Sequence, residues 1–224
     1  MRAELTLIAN AGLRVAAREA VIYVDAFHRC QVQRVVPWPA DRPLADLILV
    51  THAHWDHFDA RSVAEAAGLT GATVVGPRSV VQDLRGKVPP GKLCEMEPPL
   101  ARGAGDALCT SVEFPAAKVR AYRTFHSRDH NSYLVETASF RFFHDGDNED
   151  TRRVAARSLG KLDAVLAGLR ARKAALPKTI PPIAAGKGLS VMGGKTLNVS
   201  PGRQGLGVVS SPGNFARDAS TSGS

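Results

Sequence analysis

The segment THAHWDH, residues 51–57, follows directly on the apolar run LILV, residues 47–50. In an extended chain the side chains of His52 and His54 point to the same side, because side chains alternate along a strand. A turn after them can bring Asp56 and His57 to a second point nearby. Imidazole nitrogens and carboxylates are the ligands that zinc and related transition metals prefer. The segment therefore predicts a metal site rather than a solvated polar loop.

The positive charge of the chain lies outside the part that holds this motif. The 224 residues carry a formal net charge of +8. Residues 1–150 contain 17 Lys and Arg against 19 Asp and Glu, a net of −2, whereas residues 151–224 contain 12 against 2, a net of +10. A basic chain can indicate nucleic-acid binding. Because the motif lies in the acidic part, we expect a small-molecule substrate and no nucleic acid.

Three further features indicate a cytoplasmic protein without a membrane segment. No stretch approaches the roughly 18 apolar residues that span a bilayer. The first eight residues alternate like a strand and contain no apolar block of an export signal. Cys30, Cys94 and Cys109 are odd in number and form no C-x-x-C pair, which favours reduced thiols over a disulfide framework.

The order of predicted elements indicates an α/β sandwich with much antiparallel sheet. One short helix is predicted over residues 59–67, with Asp59 as its N-cap and Gly68 at its end, and a second over residues 77–84. Apolar residues at helical spacing predict a longer helix over residues 152–173. The predicted strands are residues 4–8, 13–17, 20–24, 47–50, 73–75, 93–96, 108–114, 119–125, 132–137 and 140–144.

The composition changes near the C-terminus. Residues 176–224 are dominated by Gly, Pro and Ser and show no hydrophobic period. This composition is typical of disorder. We therefore predict one domain over residues 1–175 and a disordered tail over residues 176–224.

Two later segments carry the same ligand chemistry, each at the end of a predicted strand. They are HSRDHNSY, residues 126–133, and FFHDGD, residues 142–147. Polar clusters at strand ends can converge on one edge of a sandwich, so we expect both segments to meet the motif of residues 51–57.

Together the three segments resemble the metallo-β-lactamase fold. An H-x-H-x-D-H motif follows an apolar strand, a later histidine precedes a tyrosine by a few residues, and a strand ends in Gly-Asp. The resemblance covers residues 4 to about 150. It is closest to the branch of ascorbate-6-phosphate lactonase-like and other uncharacterised metal-dependent hydrolases. It implies an αββα sandwich in which two sheets are flanked by helices, with one or two zinc ions at the sheet edge.

The resemblance also implies an activity and a ligand set. Two metal ions (zinc, with iron or manganese as alternatives) would supply hydroxide near neutral pH to attack an ester, lactone or phosphoester. Asp56 would be both a ligand and a catalytic residue. The implied ligands are His52, His54 and His126 at the first metal, Asp56 and His57 at the second, and Asp147 bridging the two.

Five further residues are candidates for contacts behind the ligands or with substrate: Asp25, Arg128, His130, Tyr133 and His144. Asp25 could orient a ligand histidine by a hydrogen bond, or it could cap the end of its strand. His130 is the alternative to His126 as a ligand. The interval from His126 to Tyr133 favours His126, because it matches the related tRNA-processing nucleases. Arg128 could contact an anionic substrate, and His144 could be structural.

The chain departs from the family at one position. The family supplies one more histidine late in the chain, but all seven histidines here lie at or before residue 144. We therefore expect a weak second metal site and an incomplete C-terminal half, with divergence from the family after roughly Leu166. The expected function is a metal-dependent hydrolase. The alternatives are a nuclease of the tRNA-processing type and a truncated or catalytically impaired metal-binding relative.

Overall fold

The computed structural model describes residues 3–8, 12–27, 44–99, 109–149, 159–166, 196–199 and 208–209. These residues contain thirteen strands, two α-helices and a one-turn 3-10 helix. The strands are β1 (Ala3–Ile8), β2 (Gly12–Ala16), β3 (Val21–Val24), β4 (Leu47–Leu49), β5 (Thr73–Gly76), β6 (Leu93–Glu95), β7 (Cys109–Glu113), β8 (Lys118–Arg123), β9 (Asn131–Glu136), β10 (Arg141–His144), β11 (Ala164–Leu166), β12 (Thr196–Val199) and β13 (Val208–Val209). The helices are α1 (Ala60–Thr70), α2 (Arg78–Leu84) and the 3-10 turn Pro90–Lys92.

The strands form two sheets, with orders β12-β1-β2-β3-β4-β5-β6 and β13-β11-β10-β9-β8-β7. In the first sheet β1 to β3 are antiparallel, and β3 to β6 are parallel. In the second sheet β7 to β10 are antiparallel, and β11 joins β10 in parallel. This confirms the predicted α/β sandwich. Because β3 and β4 run in the same direction, the residues that follow them meet at one edge.

Strand β4 is buried on both faces, which explains its unbroken apolar sequence. Leu47 and Leu49 lie in the core between the two sheets. Ile48 and Val50 lie in a second core, between the first sheet and the two helices. Burial of each such side chain contributes about 1.5–3 kcal/mol, so the strand that leads into the histidine motif is firmly held.

Helix α1 begins as predicted but ends later. Asp59 is its N-cap, with the carboxylate accepting from the Ser62 backbone N–H at 2.9 Å. The prediction that Gly68 ends the helix is wrong: α1 continues to Thr70 and ends at Gly71, whose φ of 70° is left-handed. A glycine inside a helix costs only about 1 kcal/mol relative to alanine, so Gly68 alone does not stop the helix.

The helix predicted over residues 152–173 is wrong at residues 159–166, where the chain is irregular over residues 159–163 and then forms β11. Ala164 pairs with Phe142 of β10. Leu159, Leu162 and Val165 pack on the outer face of the second sheet, so tertiary contacts explain the apolar spacing. Short apolar runs do not distinguish a helix from a buried strand. The remainder of the predicted helix lies outside the described residues.

Two short strands lie in the segment predicted to be disordered. β12 pairs with β1 in antiparallel register, and β13 pairs with β11 in parallel register. The other residues of 176–224 lie outside the described part of the chain, so the domain boundary at residue 175 stays a prediction. No helix within the described ranges is long and apolar enough to cross a membrane.

Candidate metal centre

Polar residues follow four strands at one edge of the sandwich. Asp25 follows β3, residues 51–57 follow β4, residues 124–130 follow β8 and residues 145–149 follow β10. The chain turns after His54, whose carbonyl accepts from the backbone N–H groups of residues 57 and 58 at 2.9 and 2.8 Å. The three ligand-rich segments of the sequence therefore converge.

His52, His54 and His126 form the first cluster. One ring nitrogen from each lies within 4.8 Å of the others. His126 Nε2 is 3.1 Å from His54 Nδ1, and the rings of His52 and His54 meet edge to face with centroids 4.4 Å apart. Three imidazoles this close repel one another when protonated, but neutral rings can share one cation.

His52, His57 and Asp147 form the second cluster, again within 4.8 Å. Asp147 Oδ1 lies 3.3 Å from His57 Nε2, and its Oδ2 lies 3.6 Å from His126 Nε2. The two carboxylate oxygens thus face different clusters. Asp56 Oδ2 lies 3.9 Å from His57 Nε2, at the margin of this second cluster.

A buried carboxylate sets which ring nitrogens face the clusters. Asp25 accepts from the Thr51 backbone N–H at 2.7 Å, from the Thr51 hydroxyl at 2.6 Å and from His57 Nδ1 at 2.9 Å. Because the only hydroxyl proton of Thr51 goes to Asp25, its oxygen accepts from His52 Nδ1 at 2.9 Å. Both histidines therefore direct Nε2 toward the ligand clusters.

Burial and neighbouring charges act in opposite directions on the two buried histidines. Burial, with the nearby His57 and His54, lowers the pKa of His52 to about 2. Burial also opposes a charge on His57, but the carboxylates of Asp25 and Asp147 outweigh it and raise the pKa of His57 to about 10. Burial disfavours charge on Asp147 too, yet contact with His57 holds its pKa below the usual range. The site therefore stabilises positive charge between its carboxylates.

His52 Nε2 tests whether these residues fit a metal ion. The atom is buried and has no hydrogen-bond partner among the described residues. An unsatisfied buried polar atom costs about 1–3 kcal/mol. A metal ion would use its lone pair, and the surrounding imidazoles and carboxylates are donors that zinc prefers. The residues fit a metal ion.

His130 is held in a way that leaves no ring nitrogen for a metal. Its Nε2 accepts from the Asp147 backbone N–H at 3.1 Å, and its Nδ1 lies 2.6 Å from Thr124 Oγ1. Burial, reinforced by His52, lowers the pKa of His130 well below its usual value. The ring is therefore neutral, with its proton on Nδ1. The structure places His126 with His52 and His54, and it places His130 behind them.

We expect His126→Ala to reduce zinc affinity and His130→Ala to reduce stability. His126→Ala should weaken zinc binding by at least about tenfold, with little change in the melting temperature measured in EDTA. His130→Ala should lower that melting temperature more, because two buried groups lose partners at about 1–3 kcal/mol each. Elemental analysis and circular dichroism measure the two effects. The reverse pattern would identify His130 as the ligand.

The remaining candidates lie around the clusters. Tyr133 is fully buried, and its hydroxyl donates to the Val50 carbonyl at 2.8 Å. It therefore ties the second sheet to the strand before the motif and does not face a substrate. His144 is buried and accepts from the Gly146 backbone N–H at 3.1 Å, which shapes the turn before Asp147. Arg128 is exposed.

Sequence reasoning missed the polar residues that hold the ligands. Thr51 connects His52 to Asp25, and Glu149 Oε1 lies 3.1 Å from His126 Nδ1. The only available signal was adjacency, because Thr51 precedes His52 and Glu149 lies close after Asp147. Threonine and glutamate are ordinary loop residues, so their type gave no indication of these roles.

Comparison with known families identifies the domain. A family model described as "Beta-lactamase superfamily domain" matches residues 20–196. The chain belongs to this family. The match includes the His52 motif, His126 and Asp147, so the predicted metallo-β-lactamase fold is confirmed. None of the curated proteins compared with this beta-lactamase superfamily domain matches it significantly.

Solved structures share the fold of this beta-lactamase superfamily domain. Igni18, a metallo hydrolase from Ignicoccus hospitalis KIN4/I, is 17% identical with a TM-score of 0.54, over 75% of this chain and 71% of that one. YhfI from Bacillus subtilis, a metallo-beta-lactamase fold protein, is 12% identical with a TM-score of 0.52, over 75% and 72%. CmlA, a diiron beta-hydroxylase from Streptomyces venezuelae, is 16% identical with a TM-score of 0.52, over 74% and 34%. At these identities the likeness shows the fold alone.

Proposed function

We propose that this protein is a metal-dependent hydrolase. The observation that carries the proposal is the position of Asp147, whose two oxygens face two clusters that share His52. The buried, unpartnered Nε2 of His52 supports it, as does membership in the family. The related fold of Igni18, a metallo hydrolase, is consistent with the same chemistry.

The residues suit zinc, and six of them would hold it. Bound metal would supply a hydroxide nucleophile near neutral pH and polarise the oxygen under attack. Asp56 is partly exposed beside His57, where its carboxylate can serve as a ligand or accept a proton at Oδ2. We assign His52, His54 and His126 to one ion, Asp56 and His57 to a second, and Asp147 between them.

The substrate we propose is a small ester, lactone or phosphoester, hydrolysed in the cytoplasm. Each of these bonds places a polarised oxygen beside the atom that is attacked, which is what a metal-hydroxide site requires. The negative charge of residues 1–150 (−2 against +10 for residues 151–224) does not favour a polyanionic nucleic acid. Iron is the alternative metal, because CmlA, which shares this fold over 34% of its chain, is a diiron protein.

Two measurements on the purified protein test this proposal. Elemental analysis gives the metal-to-protein ratio, and we expect between one and two zinc ions per chain. Hydrolysis of p-nitrophenyl acetate and bis(p-nitrophenyl) phosphate is then compared with the His52→Ala/His54→Ala variant. We expect turnover of at least one compound that the variant lacks. A zinc-loaded protein with no turnover above the variant on any ester, lactone or phosphoester would instead indicate a metal-binding relative without hydrolase activity.

A further inference from the structure

Three polar contacts join the turn after β10 to the segment that carries His126. The Phe125 backbone N–H donates to Asn148 Oδ1 at 3.2 Å. The Glu149 backbone N–H donates to the Phe125 carbonyl at 2.7 Å, and Glu149 Oε1 lies 3.1 Å from His126 Nδ1. The turn also carries Asp147, so these bonds join the two segments that carry His126 and Asp147, both assigned as metal ligands.

The orientation of the Asn148 amide is fixed by Asp145. Asn148 Nδ2 donates to both carboxylate oxygens of Asp145, at 3.1 and 3.2 Å, and both residues are buried. Because the amide nitrogen is committed to Asp145, Asn148 Oδ1 must face the Phe125 N–H. Asp145 is itself anchored to β9, where Ser132 Oγ donates to its Oδ1 at 2.7 Å.

A chain of hydrogen bonds leads from Asp145 back to the turn. Ser132 Oγ lies 3.0 Å from Thr124 Oγ1, which lies 2.6 Å from His130 Nδ1. His130 Nε2 then accepts from the Asp147 backbone N–H at 3.1 Å. Each hydrogen bond in this chain has one possible direction. His130 Nδ1 donates to Thr124, Thr124 donates to Ser132, and Ser132 donates to the carboxylate of Asp145. The turn is therefore held at both ends.

The fit of the turn leaves no space for adjustment. Gly146 has a φ of 58°, and a Cβ built on it would lie 2.6 Å from His130 Nε2 and 3.0 Å from Thr51 Cγ2. Only glycine adopts this conformation there without strain. Because Gly146 packs this closely against His130 and Thr51, we expect a change in the Asn148 contact to shift the segment of His126 rather than Gly146.

We propose that Asn148 is a positioning residue for the metal centre. Through Phe125 it sets the separation of His126 Nε2 from Asp147 Oδ2, which is 3.6 Å. Metal ligands must be held to within about 0.5 Å of their working geometry, and loss of a partner behind a ligand weakens metal binding by about 10- to 100-fold. The inference rests on the proposed metal site but not on hydrolysis.

An exchange of the two buried side chains tests the role of Asn148. Asn148→Asp places a second carboxylate against that of Asp145 and removes the donor. The double exchange Asp145→Asn/Asn148→Asp restores a donor–acceptor pair between the two side chains: the amide nitrogen at 145 donates to the carboxylate at 148, which accepts from the Phe125 N–H. The amide oxygen at 145 still accepts from Ser132. Asn148→Ala removes all three side-chain hydrogen bonds without adding a repulsive carboxylate, so it replaces Asn148→Asp in the test if that variant does not fold.

Zinc affinity, measured by competition with a chromophoric chelator, is the first readout, and the visible absorption of the Co²⁺ form is the second. We expect Asn148→Asp or Asn148→Ala to weaken zinc binding by about 10- to 100-fold and to alter the Co²⁺ spectrum. The double exchange should recover wild-type affinity to within about threefold. Asn131→Asp is the matched control, because it removes the buried Nδ2 bond to the Met96 carbonyl, 2.8 Å long, outside this turn. It should lower the melting temperature in EDTA and leave zinc affinity unchanged.

Two results would overturn the inference. One is wild-type affinity and spectrum in the single Asn148 variants. The other is a double exchange that folds and still binds zinc as weakly as Asn148→Asp. Hydrolysis plays no part in these readouts, so failure of the proposed enzymatic function alone would leave the zinc measurements valid. A wild-type protein that binds neither zinc nor Co²⁺ would overturn both proposals at the metal site.

Discussion

His52→Ala is expected to remove nearly all bound metal, whereas His54→Ala should remove only part of it. His52 belongs to both clusters of ligand atoms, and His54 belongs to one. Loss of a residue that only supports a ligand already weakens metal binding by about 10- to 100-fold. Loss of His52, whose Nε2 is buried and is oriented through Thr51 and Asp25, should exceed this, whereas water can take the place of the exposed His54. Elemental analysis of the two variants, purified side by side, measures the difference.

The rate of hydrolysis should fall together with the metal content. We expect His52→Ala to lose at least about a hundredfold in kcat/KM on any ester that the wild type cleaves. Arg61→Ala, on the exposed surface of α1, is the control for handling and purity. Equal metal content in the His52→Ala and His54→Ala proteins would contradict the larger contribution expected of His52, even if both variants were inactive.

The ligands could be predicted from the sequence because their chemistry is local. His52, His54 and His57 stand within one short segment after an apolar strand, and strand alternation relates the first two. His126 and Asp147 are marked by residue type at the ends of later strands. The structure brings all five to one edge of the sandwich, which the positions of strand ends suggested but could not prove.

The supporting contacts could not be predicted, because they connect residues far apart in the chain. Asp25 and Thr51 are 26 residues apart, and Phe125 and Asn148 are 23 residues apart. No spacing rule relates such pairs before the sheets are assembled. The segment of residues 159–166 was misjudged for a related reason: pairing of β11 with β10 decides its conformation, and local periodicity does not.

Asp25 has a left-handed backbone conformation, and its carboxylate accepts three hydrogen bonds at the site. Its φ of 47° is left-handed, although it is not a glycine. Its carboxylate holds His57 directly and His52 through Thr51. Backbone conformations of this kind cost about 1–3 kcal/mol and persist where surrounding contacts over-determine them. Asp25 therefore links the fold of the edge to the orientation of two ligands.

Two substitutions of Asp25 should separate these roles. Asp25→Ala leaves three buried donors unsatisfied and should lower the free energy of unfolding by about 3–5 kcal/mol. Asp25→Asn tolerates the left-handed backbone better and can still accept from Thr51. Its amide nitrogen cannot accept from His57 Nδ1, so we expect zinc affinity to fall about 10- to 100-fold with a smaller loss of stability. Urea unfolding in EDTA and chelator competition measure the two quantities, and equal stability losses would contradict this division.

The pH dependence of the free energy of unfolding gives an independent measure of the contact between Asp25 and His57. The folded protein holds the proton on His57 up to a pKa of about 10, whereas an unfolded histidine loses it near about 6.5. The stabilisation from this proton is therefore complete below about pH 6.5 and is lost as the pH rises toward about 10. In EDTA the free energy of unfolding should fall by about 1.4 kcal/mol per pH unit in this window for one proton. Asp25→Asn should flatten the slope, because one of the two carboxylates that hold the proton is gone. An unchanged slope would assign the raised pKa of His57 to Asp147 alone.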